Sequence, residues 1–166
     1  MAEQFYANRY ASILYRYSQR FLTDLLRREK IPLESAQIPV LLRCAQHPGI
    51  TQEEIASVTG LDKATVARTA ATLESRGLMH RCPDPEDRRA NRLTLTSQGE
   101  QLLPDVEAVV DRLHRAIYRG LSPQEQSEAC RLLVQMCSNL RSAVEQGRTG
   151  RSCRAGNGPA QTTEDL

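Results

Sequence analysis

Apolar residues recur every three or four positions along most of this chain. In residues 6–29, Tyr10, Ile13, Leu14, Tyr17, Phe21 and Leu25 share one helical face, and Arg9, Arg16, Arg20, Arg27 and Arg28 fill much of the rest. Pro32 ends that helix. A second helix is predicted from Glu34 to His47, stopped by Pro48-Gly49. Pro39 within it is expected to bend it or loosen its first turns. Two longer amphipathic stretches close the pattern. Residues 97–119 carry Leu102, Leu103, Val106, Val109, Val110, Leu113 and Ile117 on one side. A last helix starts at the capping box Ser122-Pro123-Gln124-Glu125 and runs to about Gln146, with Leu132, Leu133, Met136, Leu140 and Val144 inward. Residues 147–166, with four glycines, one leucine and no aromatic residue, read as a disordered tail.

The middle of the chain punctuates differently. Thr51 and Glu54 form a capping box at the start of a short helix that closes at Gly60. Asp62 caps the next helix, Lys63 to Arg76, and Gly77 ends it. Two short helices joined by a glycine-containing turn match a helix-turn-helix. Ile55 and Ala56 in the first, and Val66, Ala70 and Leu73 in the second, form the buried side. Lys63, Thr65, Arg68, Thr69 and Thr72 are then left facing out, a charged and hydroxyl-rich face suited to base edges and phosphates of double-stranded DNA. After Gly77 the period changes. Residues 78–82 and 91–95 are strand-like, and the turn between them carries Arg88 and Arg89, which makes a basic wing. The fold class is therefore mainly α with a small β wing: a winged helix-turn-helix over 33–95. It is flanked by helical dimerisation segments at 1–32 and 96–146, because so small a lobe cannot cover the apolar faces of the long helices. A two-fold homodimer would also span two DNA half-sites.

Charge refines this picture. The net charge is +2, but residues 51–95 carry seven basic and seven acidic groups, so positive charge there works by placement. The five cysteines lie far apart with no CxxC, which argues against a disulfide framework or zinc ribbon. His47, His80 and His114 do not supply a zinc set, so neither a metal nor another cofactor is expected. Cys82, on a wing strand, is the best placed thiol for oxidant sensing. There is no nucleophile motif, HExxH or phosphate loop, so no enzyme is expected. With no apolar run near 20 residues and no secretory layout at the N-terminus, a cytoplasmic protein without membrane contact is expected. The rival reading is a winged-helix module used for protein contacts, which would not require Lys63, Thr65 and Arg68 on the outward face.

TQEEIA, LDKATVARTAATLESRGLMHR, DPEDRR and LTLTSQG together resemble the MarR family of bacterial regulators over residues 33–99, and the helix order extends the likeness to about 146. The resemblance implies a triangular homodimer on a palindromic operator, usually a repressor released by a small ligand or oxidant. The family's Asp-x-Arg wing pattern falls on Asp87 and Arg89: the arginine as minor-groove probe, the aspartate as the group that holds the wing. It also implies an effector cleft where the dimer helices meet the winged lobe. The candidates there are Ile13, Tyr17, Val40, Cys44 and Val109, with a small aromatic anion as the effector and Arg16 or Arg20 as counter-charge.

Overall fold

The computed structural model describes residues 7–85 and 91–152, with side chains to 146. The chain divides into two compact units, one ending at Ile117 and the other starting at Tyr118. Among the described residues of the first unit, the order is α1 (Ala7–Arg28), α2 (Ile38–Gln46), β1 (Ile50–Thr51), α3 (Gln52–Thr59), α4 (Lys63–Ser75), β2 (Met79–Pro83), β3 (Asn91–Leu95) and α5 (Ser97–Ile117). The strands form one antiparallel sheet in the order β1-β3-β2.

Local signals set most boundaries. Thr51 Oγ1 accepts from the Glu54 amide, and Glu54 Oε2 accepts from the Thr51 amide, so the capping box before α3 is complete. Gly60 takes the left-handed conformation that closes α3, and Gly77 does the same after α4. Of the two expected effects of Pro39, the structure shows the loosened first turn and not the bend. A 3₁₀ turn at Ser35–Gln37 precedes the proline, which occupies the first turn of α2 rather than the interior. An amide at that position has no helical partner, so its absence costs nothing and the bend does not arise. A third strand, β1, was not visible in the hydrophobic pattern. Its two residues pair with Leu93 and Arg92 of β3.

The core of this unit lies where α2, α3, α4, the sheet and α5 converge. Val40, Leu41, Ile55, Val66, Leu73, Leu93 and Val106 are fully buried there, each stabilising the fold by about 1.5–3 kcal/mol relative to exposure. The expected inward residues of the helix-turn-helix, Ile55, Val66, Ala70 and Leu73, are all in it. On α1 the buried residues are Leu22, Leu25 and Leu26, near its C-terminal end, whereas Tyr10, Leu14, Tyr17 and Phe21 are exposed.

In the second unit, a turn leads into α6 (Pro123–Ser152), which extends past the expected end near Gln146. The Ser122–Glu125 capping box starts it, as predicted. Leu132, Leu133, Met136, Leu140 and Val144 are all exposed. Among the described residues no helix is long and apolar enough to cross a membrane.

Candidate nucleic-acid interface

The face of α4 is built from its first turn. Asp62 Oδ1 accepts from the Thr65 amide at 2.8 Å, and Thr65 Oγ1 donates to Asp62 Oδ2 at 2.6 Å. These bonds hold the Asp62 carboxyl below its ordinary range, so it stays ionised as a cap at the positive end of the helix. Arg68 Nη2 in turn donates to Thr65 Oγ1 at 3.2 Å. One side chain thus caps the helix, and through Thr65 it orients the guanidinium one turn further on.

Of the predicted reading residues, Lys63 and Arg68 are exposed, while Thr65, Thr69 and Thr72 are half-buried along the flank. Thr72 Oγ1 donates back to the Arg68 carbonyl. An exposed stripe runs Ala64, Arg68, Ala71 and Ser75. Counting three and four residues from Arg68 would have found Ala64, Ala71 and Ser75. Small side chains there let the backbone approach a groove closely, and an alanine methyl suits the thymine methyl.

The base of the wing is held by ion pairs that sequence reasoning missed. Arg92 Nε lies 3.0 Å from Asp84 Oδ2, and its Nη2 donates to Oδ1 at 3.3 Å; the Asp84 side chain is almost completely buried. Cys82 faces Arg92 across the strands, so Asp84, two residues on, is its diagonal neighbour. Arg81 Nη2 donates to Glu74 Oε2 at 2.8 Å and fixes β2 to the end of α4. Arg76 donates to the Pro32 carbonyl and to Gln37, anchoring the same end of α4 to the segment before α2. The wing residues Asp87, Arg88 and Arg89 lie outside the described residues.

A second joint secures the other side of the wing. Thr96 Oγ1 donates to the Gly77 carbonyl at 2.6 Å and accepts from the Gly99 amide at 3.0 Å, while the Thr96 amide donates to the Leu78 carbonyl. The Leu-Thr-x-x-Gly run at Leu95–Gly99 therefore ties the end of α4 to the start of α5.

The effector candidates divide. Val40, Cys44 and Val109 come together in the core. Ile13 is half-buried, and Tyr17 is exposed with the Arg20 guanidinium 5.9 Å from its ring centroid. Val109 also lines a cleft of about 190 Å³ with Glu29, Ile31, Asp105, Ala108 and Arg112, smaller than the ~300 Å³ at which small-molecule pockets usually begin.

Burial pushes the Cys44 thiol up to about 12, so about one in ten thousand is ionised at pH 8. Cys82 is exposed. Iodoacetamide is therefore expected to modify Cys82 in the folded protein and Cys44 after unfolding alone, because the thiolate is the nucleophile. Peptide mapping checks this; equal labelling of the two in the folded chain would contradict the burial of Cys44.

Comparison with known proteins decides the family. The family model described as MarR family matches residues 33–90. A crystal structure of MarR is 31% identical, with 90% of this chain and 98% of that one aligned at a TM-score of 0.66. The chain belongs to the MarR family. It is accordingly a winged-helix transcriptional regulator of the kind that binds DNA. A cysteine-to-serine mutant of Escherichia coli MarR, complexed with operator DNA, is 25% identical over 78% of this chain and 91% of that one, with a TM-score of 0.69. PcaV from Streptomyces coelicolor, in complex with its natural ligand, is 26% identical over 75% and 89%, with a TM-score of 0.64. The LTLTSQG run that this MarR-family chain carries now has a physical reason in the Thr96 joint.

Proposed function

We propose that this MarR-family regulator is a cytoplasmic homodimeric repressor. It binds a palindromic operator in double-stranded DNA and lets go when a small aromatic effector or an oxidant acts on it. The observation that carries the DNA reading is the capped, ion-pair-braced helix α4, with Arg68 held outward by Thr65 and Asp62. In this reading Lys63, Arg68 and the flanking Thr65, Thr69 and Thr72 face the major groove. Arg89 probes the minor groove, Arg88 touches phosphate and Asp87 braces the wing. The operator complex of the Escherichia coli relative supports the first part. The exposed apolar residues of α1, and separately those of α6, support dimerisation through a second copy, since apolar surface exposed along a helix face marks contact sites. The ligand complex of PcaV supports an effector, placed here at Ile13, Tyr17, Val40, Cys44 and Val109.

Selection of bound fragments from a random duplex pool, followed by titration, tests the DNA reading. Arg68→Ala is expected to weaken operator binding by about 1–3 kcal/mol and to relax base preference at one position. Arg89→Ala is expected to weaken binding by a similar amount without changing base preference. An Arg68→Ala protein that binds the selected site as tightly as wild type, at the same salt, would rule out the reading face. A pool that yields no enriched sequence would leave the lobe a protein-contact module. Calorimetry against phenolic acids, beside oxidant treatment of wild type and Cys82→Ser, separates the two release routes.

A further inference from the structure

Residues 51–95 hold as many acids as bases, and the structure shows where the described acids go. Glu54 closes the capping box with Thr51, Asp62 caps α4, Glu74 pairs with Arg81 and Asp84 pairs with Arg92. Each of these four carboxylates has a task in the fold. Glu53 differs, because its partner is on the reading face. Lys63 Nζ donates to Glu53 Oε1 at 2.6 Å, joining the first turn of α3 to the first residue of α4. Both side chains are more than 70% exposed, so the contact adds little to the core. Arg76, Arg81 and Arg92 also have carboxylate partners, which leaves Arg68 as the basic residue of this stretch with no ion pair among the described residues.

Glu53 also sits where a phosphate would otherwise be welcome. The first turn of a helix offers free amides and the positive end of its dipole, and the first helix of such a motif crosses the DNA backbone. The Glu53 carboxylate stands in that first turn and pairs with the adjacent ammonium. While the pair with Glu53 holds, Lys63 makes no phosphate contact and releases no counterion from the duplex.

We propose that Glu53 is a positioning residue that acts through Lys63, holding its ammonium off the phosphate backbone and so weakening the sequence-independent part of DNA binding. The proposal rests on the DNA-binding reading above. Regulators work among a vast excess of non-operator sites, and a restraint on backbone binding loosens the hold of those sites; it weakens operator binding by the same factor, so the specificity ratio is unchanged.

The test is a salt titration of wild type, Glu53→Gln and the double variant Glu53→Gln/Lys63→Gln on a short mixed-sequence duplex, from about 50 to about 200 mM salt. Glu53→Gln is expected to bind about two- to five-fold more tightly at the low-salt end, the factor an exposed ion pair is worth. Its plot of log affinity against log salt should steepen by about 0.9, the increment of one added phosphate contact. Adding Lys63→Gln should remove both gains. A merely structural role would lower the melting temperature and leave the slope alone. Parallel slopes for wild type and Glu53→Gln would overturn the proposal, as would a gain that survives Lys63→Gln. Wild type that binds no duplex at any salt would instead overturn the DNA-binding reading itself.

Discussion

Leu140→Glu is expected to leave each chain folded and to lower operator affinity by about 10²- to 10⁴-fold, the gain that linking two half-sites ordinarily provides. Leu133, Met136, Leu140 and Val144 recur along α6 at helical spacing and are exposed, with Leu140 at 67%. In water such a face has no reason to persist, whereas against a second copy each leucine gains about 1.5–3 kcal/mol, and two-fold symmetry counts every residue twice. A carboxylate at 140 would have to be desolvated without a partner, a cost larger than the lost apolar contact. Folding is spared because Leu140 belongs to no buried cluster among the described residues. Sedimentation should show monomers at concentrations where the proposed wild-type dimer forms, and titration should show half-site affinity. A variant that remains dimeric and binds the full site as wild type does would remove α6 from the interface.

Gly99→Ala is expected to cost about 3 kcal/mol, at the upper end of overpacking penalties, and to lower the melting temperature by about 10 °C. A Cβ at this position would stand 2.2 Å from the Leu78 carbonyl oxygen and 3.1 Å from its carbon. Neither atom can give way easily. They are backbone, and the Thr96 amide holds the same carbonyl. Relief requires α5 to move away from the start of β2, which breaks the bonds from Thr96 to Gly77 and Gly99. Calorimetric melts of both proteins decide it; a variant that melts within a degree or two of wild type would show that the joint is loose.

What could be read from the residues was what the chain decides locally. The capping boxes at Thr51 and Ser122, the Asp62 cap and the left-handed glycines 60 and 77 depend on neighbours within four residues, and all stand where the sequence places them. The stripe of Val66, Ala70 and Leu73 follows from helical period alone. Other features needed partners distant in sequence. Two residues of β1 carry no periodicity, and they are a strand because β3 lies beside them. The Asp84–Arg92 pair depends on strand register, which no run of residues announces. For Pro39 the sequence leaves a bend and a loosened first turn both open, because the 3₁₀ turn that moves the helix start to Ile38 leaves no mark in the hydrophobic pattern. On the candidate interface, Lys63 and Arg68 were found from their chemistry. Ala64 and Ala71 carry no such chemistry, and exposure on the same face is what brings them in.

The Thr96 joint between Gly77 and Gly99 has a mechanical consequence. It lies at the C-terminal end of α4, while Lys63 lies at the other end, 13 residues of helix measuring about 20 Å, and Arg68 lies near the middle. A stiff joint makes α4 turn with α5 instead of yielding beside it. Over such an arm, a tilt of about ten degrees carries the far end about 3.4 Å, the rise of one base step. In the proposed DNA complex the helix would work as a pointer pivoted at its heel: a small rotation of α5 would offset its tip by one whole letter of the operator.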